Sequence, residues 1–421
     1  MRDGLDYWPP LPIIVKYADD RKIVLPTHED NIVAALAHPN RVCRVEVAVG
    51  AWMFEKLSTL MQQPFPELTH LRLWCNDMQL TAPVFTDDFL GGSASRLRSL
   101  SLGGISFPAL PSILPSATDL VSLRLLEIND ADYISSEVMV TCLSTLPKLE
   151  HVTIQFYPFI VGSRRGGQGL FPERTRQLPL TRATLPSLTE FDFLGDGDYL
   201  DDFVARVDTP LLEDLHVTVF HDHIIEIPHL SEFILRTGGH TLLNEATLHA
   251  DDYSIFITFS QSVATSGEGN RQRFQLGISF ISYESKHWEI FDLALLCGEY
   301  LSPPLISGIE RLYIGPILTS FTRVWLGKYY NKLWDWLNIL SPFRSVESLY
   351  VSDLPHFALV MEEIAKKMVV GELTEEVLPA LRMIQFETPS NHTEASIEEF
   401  VAMRQRSGHL LTVHHRTLTV P

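Results

Sequence analysis

Four cysteines in 421 residues leave little from which to build a disulfide framework. Cys43, Cys75, Cys142 and Cys297 lie far apart, without the paired spacing of a zinc site, and read as free thiols; Cys43 and Cys142 fall in apolar-rich segments. Positive charge is also scarce. Lys and Arg number 33 against 52 Asp and Glu, a net charge of −19 that repels phosphate backbones and anionic membrane surfaces, so neither nucleic acid nor a membrane is the expected partner. The local exception runs from Gly162 to Arg182, where Arg164, Arg165, Arg174, Arg176 and Arg182 meet a single acid, Glu173; a solvated insertion loop accounts for it. There is no run of about 18 apolar residues to span a membrane. The start, MRDGLDYWPPLP, lacks the basic-then-apolar order of a secretory signal. The expectation is an intracellular protein, cytoplasmic or nuclear.

Chemistry-bearing motifs are missing too. There is no nucleophile elbow and no metal cluster. GSRRGGQG at Gly162 imitates a phosphate loop but lacks its Gly-Lys-Ser/Thr ending. His221-Asp222-His223 supplies two imidazoles without a third ligand, and His414-His415 fares no better. The acidic stretch Asp196 to Asp202 lacks the closing Glu of a calcium loop and suits a helix N-terminus. The sequence is therefore expected to encode neither an enzyme nor a cofactor or metal site.

What the chain does have is core-forming material, 45% hydrophobic residues against 20% charged, and an internal period. A pattern apolar-x-x-apolar-x-apolar recurs about eleven times. The clearest copies begin at Leu68, Leu97, Leu120, Leu149, Leu188 and Leu212, and weaker ones at Val42, Leu243, Ile309, Val346 and Leu381. Starts from Val42 to Leu149 lie 26, 29, 23 and 29 residues apart, room for one strand and one return segment. Segments with helical apolar spacing lie between them: His28 to Ala37, Trp52 to Met61, Ser135 to Leu146, Tyr199 to Val207 and Leu230 to Leu235. Pro66, Pro147, Pro186, Pro210 and Pro379 stop the return segment just before the next copy.

This pattern predicts an α/β fold, a leucine-rich-repeat solenoid or horseshoe. A curved parallel sheet would line its concave face, with helices or turns on the convex face. One solenoid is expected over residues 1–421: an N-terminal edge and first helix at 1–40, an Arg/Gly-rich insertion at 160–183, a divergent excursion at 249–305 and irregular repeats at 306–421. The repeating apolar residues should point inward and the x positions outward. The candidate partner-binding row is accordingly His70, Arg72, Trp74, Ser122, Arg124, His151, Thr153, Gln155, Glu190, Asp192, Asp214, His216 and Thr218. The Asn that often closes such a repeat occurs in full register at Asn76 alone. Phe321 to Phe343 has the apolar spacing of one long helix, in which Trp325, Trp334 and Trp336 read as core packing, with Ser341-Pro342 ending it.

With the repeats placed, several stretches resemble the F-box/leucine-rich-repeat proteins of basidiomycete fungi. They are LDYWPPLP at Leu5, NIVAALAHPNRVCRVEV at Asn31, FPELTHLRL at Phe65, FLGGSASRLRSLSLGGI at Phe89, MVTCLSTLPKLEHVTI at Met139 and DDFVARVDTPLLEDL at Asp201. WLNILSPFRSVESLYVSD at Trp336, LTEEVLPALRMIQFE at Leu373 and FVAMRQRSGH at Phe400 continue them in order. The resemblance implies a receptor in which the solenoid holds a protein substrate while a preceding helical F-box docks on a Skp-type adaptor and cullin. No F-box-like segment is evident here, so adaptor binding is expected only if one lies upstream. A free-standing repeat scaffold without a ubiquitin link is the alternative, and an unrecognised enzyme the remoter one.

Overall fold

The computed structural model describes residues 11–18, 26–75, 84–128, 134–157, 182–220, 227–250, 254–261, 274–281, 290–301, 303–317, 333–352, 357–371, 376–386 and 393–415. It is an α/β structure that divides into two compact units, Met1–Leu212 and Glu213–Pro421.

In the first unit the main strands are β1 (Ile13–Ala18), β2 (Val42–Val49), β3 (His70–Cys75), β4 (Ser99–Gly103), β5 (Ser122–Ile128), β6 (His151–Phe156) and β8 (Glu190–Gly195). They pair side by side in that order, all parallel. Two two-residue strands, β7 (Ala183–Thr184) and β9 (Val207–Asp208), form a separate parallel pair. Parallel neighbours need a crossover, and helices supply several of them: α1 (Pro26–Leu36), α2 (Ala51–Leu60), α3 (Ser136–Leu143) and α4 (Gly197–Ala205). Helix α1 opens on a proline, whose fixed φ and missing N–H suit the first helical position. Ser135 caps α3 by accepting from the Val138 amide, and Asp196 caps α4 by accepting from Asp198 and Tyr199. The acidic stretch at Asp196 is thus a helix start.

The core follows from the apolar spacing. Every motif-opening residue, Val42, Leu68, Leu97, Leu120, Leu149, Leu188 and Leu212, is at most 4% exposed. Helices add Met53, Phe54 and Leu57, then Met139, Val140 and Leu143, then Leu200, Phe203 and Val204. Phe85 sits amid Phe54, Phe89 and Phe107, with ring centroids 4.4–6.0 Å away.

One local geometry recurs through both units. The amide of Leu68, Leu97, Leu120, Leu149, Leu188, Leu212, Ile309, Val346 and Leu381 donates in each case to the carbonyl three residues earlier, at 2.9–3.4 Å. The residue after it then accepts from the following strand: Thr69 from Arg98 and Ser99, Arg98 from Val121 and Ser122, Val121 from Glu150 and His151.

In the second unit the strands are β10 (Asp214–Phe220), β11 (Glu245–Ala250), β12 (Ser254–Ser260), β13 (Gln275–Ile281), β14 (Arg311–Ile317), β15 (Ser348–Val351), β16 (Met383–Phe386) and β17 (Thr412–His415). Their spatial order is β10-β13-β12-β11-β14-β15-β16-β17. Here the expectation of a wholly parallel sheet is corrected, because β12 runs antiparallel to both β11 and β13. The excursion expected at 249–305 thus contributes strands to the sheet, since every second residue of SIFITFS and QLGISFI, Ile255, Ile257 and Phe259 and then Leu276, Ile278 and Phe280, is buried. The longer described helices are α5 (Pro228–Arg236), α6 (Ile290–Leu295), α7 (Leu333–Leu340), α8 (Phe357–Val370) and α9 (Thr393–Arg406), with α8 packed on α9. Of the long helix expected from Phe321, the part before Leu333, with Trp325, lies outside the described residues. Trp336 is buried and meets Phe357 edge-on at 5.2 Å, so it packs as core.

Candidate functional site

In each strand, buried residues alternate with residues directed to the opposite face of the sheet, and hydrogen-bond register aligns the latter into rows. In the first unit one row reads Ile14, Arg44, His70, Ser99, Ser122, His151, Glu190. The next reads Lys16, Glu46, Arg72, Ser101, Arg124, Thr153, Asp192, and beside it Ala48, Trp74 and Gly103 align. The sequence-derived candidates from His70 to Asp192 therefore share one face. Arg72, Arg124, Glu190 and Asp192 are exposed, while His70, Trp74, Ser122, His151 and Gln155 are half-buried. Thr153 differs from expectation: it lies in the outward row but is only 9% exposed, a short side chain between Arg124 and Asp192.

Electrostatics divides the face. Glu46 is shared by Lys16, at 3.4 Å, and Arg44. Burial pushes the Glu46 carboxyl up, but hydrogen bonding and attraction from Arg44 and Lys16 leave it below its ordinary value. His70, 2.9 Å through Nδ1 from Thr69 Oγ1, is held below the usual imidazole range by burial, then by Arg44 and Arg98, against the opposing pull of Glu46. His151 Nε2 lies 3.5 Å from Glu190. Arg72 and Arg124, by contrast, have no ion-pair or hydrogen-bond partner among the described residues.

In the second unit Asp214, His216 and Thr218 occupy alternate positions of β10, all half-buried. His216 Nε2 lies 3.0 Å from Asp214 Oδ1, and Thr218 Oγ1 lies 2.7 Å from Ser279 Oγ. The sequence reading missed their neighbours on this face. The register places Gln275, Gly277 and Ser279 of β13 beside them, and Phe256 and His249 meet with ring centroids 5.6 Å apart. Tyr313 and Tyr350 stack at 4.3 Å with nearly parallel rings. Burial, then Glu245 and Tyr350, raise the Tyr313 phenol. The period-two alternation in β12 and β13 was the available signal.

Among the described residues, no group of three His, Cys, Asp or Glu is placed to hold a metal, and no helix is long and apolar enough to cross a membrane. His221, His223, Asn76 and the Arg-rich loop through Thr181 lie outside the described residues, while Arg182 is exposed and donates to the Ala205 carbonyl at 3.1 Å. His414 is exposed on β17. Burial raises the thiols of Cys142 and Cys297, which suits inert packing residues. Neither a protein-family model nor any curated protein matches this chain.

Proposed function

We propose that this chain is a leucine-rich-repeat solenoid that binds another protein on its sheet face. We further propose that it serves as the substrate-recognition part of an F-box-type ubiquitin ligase receptor. The observation that carries the binding reading is the outward row of parallel strands, where exposed Arg72 and Arg124 stand beside the half-buried Trp74 without an ion pair among the described residues. Arginine and tryptophan are the residues that most often anchor protein interfaces. The turn that recurs at nine of the eleven motif-opening residues supports the repeat reading, because the same amide-to-carbonyl bond begins strand after strand. The ligase role rests on the extended resemblance to fungal F-box/leucine-rich-repeat proteins, from Leu5 to His409.

Two experiments test these parts separately. Substituting Arg72, Trp74 and Arg124 together by alanine should abolish capture of the native partner while leaving the melting temperature within a few degrees; capture that persists refutes the sheet-face reading. Native protein isolated from its source should bring down a Skp-type adaptor and cullin. If partner capture is intact but neither accompanies it, the chain is a free-standing scaffold.

A further inference from the structure

Arg72 on β3 and Arg124 on β5 occupy the same outward row, separated by Ser101 of β4. Ser101 is only 8% exposed, and Ser99 and Ser122 flank it in the adjacent row, so small hydroxyl side chains floor the space between two long cations. Two other cations of this face are already engaged: Lys16 and Arg44 share Glu46. Arg72 and Arg124 have no such partner among the described residues. In a chain of net charge −19, two unneutralised guanidinium groups over a serine floor form a local feature opposite in sign to the whole.

We propose that Arg72 and Arg124 clamp an acidic segment of a partner protein, its carboxylates astride Ser101, with an apolar side chain of the same segment resting on Trp74. The inference rests on the reading that this face binds protein, and adds which chemistry it selects. Strands two apart are separated by roughly 9.6 Å. Carboxylates three residues apart in a polyproline-II segment lie about 9.3 Å apart on one side. Each planar guanidinium fork then takes one carboxylate in paired hydrogen bonds. That spacing suits two separate anions better than a single phosphoryl group. A nucleic-acid backbone, charged at every nucleotide, fits less well still, because its phosphates beyond the two arginines would meet Glu46, Glu190 and Asp192, which border the patch along the rows.

The test is a selection of displayed random twelve-residue peptides on the full chain, followed by fluorescence anisotropy of the enriched peptides. The expected peptides carry Asp or Glu pairs three residues apart. Arg72→Gln or Arg124→Gln should weaken each by about tenfold and the double variant by about a hundredfold, while Arg96→Gln, whose side chain already pairs with Glu67 at 2.7 Å, leaves affinity unchanged. Both variants should keep the wild-type melting temperature, since both arginines are exposed. Enriched peptides that lack acidic residues and ignore both arginines overturn the clamp, yet leave the protein-binding face standing if Trp74→Ala weakens them. A failure to enrich any peptide overturns the clamp as well. So does binding of phosphoserine peptides with none to their Glu counterparts, or equal competition by duplex DNA, each of which reassigns the patch to phosphate.

Discussion

Trp74 packs against Gly103 so closely that a β-carbon there would lie 2.5 Å from Trp74 Cε3 and 2.8 Å from Cζ3. Their strands are adjacent in register, so the bare glycine backbone is the surface on which the indole rests. Gly103→Ala must displace the ring, at a cost on the order of 1–3 kcal/mol. In a Trp74→Ala background the same change should cost far less, and equal costs in both backgrounds, measured by denaturant unfolding, would show that the contact does not hold in solution. Because Trp74 stands next to Arg72 on the proposed binding face, Gly103→Ala should weaken partner capture as well.

His70 gives a pH signature. Its folded-state value lies below the ordinary 6.5, through burial and the positive charge of Arg44 and Arg98 outweighing Glu46. Well above pH 6.5 the imidazole is neutral in both folded and unfolded chains, so it contributes no slope there. As pH falls through 6.5 the unfolded chain takes up the proton first, and stability declines until the folded value is passed. His70→Asn should therefore show a shallower loss below pH 6.5 and an unchanged slope above it. Parallel curves for variant and wild type across pH 5 to 8 would remove His70 as the cause.

Phe85 is the hub of the aromatic cluster in the first unit, 1% exposed, with Phe89 4.4 Å, Phe54 5.9 Å and Phe107 6.0 Å away. Phe85→Ala removes a ring from the centre of three others and should cost about 3–5 kcal/mol. Phe85→Leu, which keeps most of the buried volume, should cost much less. Comparable losses for the two in guanidinium unfolding would mean that the site collapses around either residue.

Much of this architecture is legible in the sequence because apolar spacing is a local signal: Leu71 and Leu73, or Leu123 and Leu125, alternate with exposed residues over a few positions. The outward direction of Arg72 and Arg124 follows from the same alternation. What escaped is non-local. The antiparallel β12 depends on which strands meet, and nothing in its own alternation fixes direction. Trp74 reaches Gly103 only after a complete strand-to-strand crossover. Glu127, at φ 54 and raised by burial, marks a break in the alternation of β5 that no neighbouring residue announces. The charged C-terminal helix concealed the most consequential of these contacts.

Arg404, on α9, is 0% exposed, which no periodicity would assign to a residue flanked by Met403 and Gln405. Its guanidinium donates to the carbonyls of Leu378 at 3.3 Å, Pro379 at 3.0 Å and Leu381 at 3.1 Å, and pairs with Glu376. Those carbonyls belong to the bend that leads into β16, where Leu378 sits at φ 51, so one side chain holds the turn together. Burial pulls the Arg404 pKa down, with Glu376 opposing, yet arginine titrates so high that the group stays charged at neutral pH. Arg404→Met keeps the stem but strands the carbonyls and Glu376, and should destabilise the second unit by about 3–5 kcal/mol. Arg404→Lys should rescue little, because a single ammonium cannot reproduce the fork that reaches several acceptors at once. Denaturation of the full chain followed by hydrogen exchange separates the units: the loss should appear in amides of β16 and β17 and spare β3 to β5. Wild-type protection at Ile384 and Val413 in the methionine variant would show that the bend stands without its arginine.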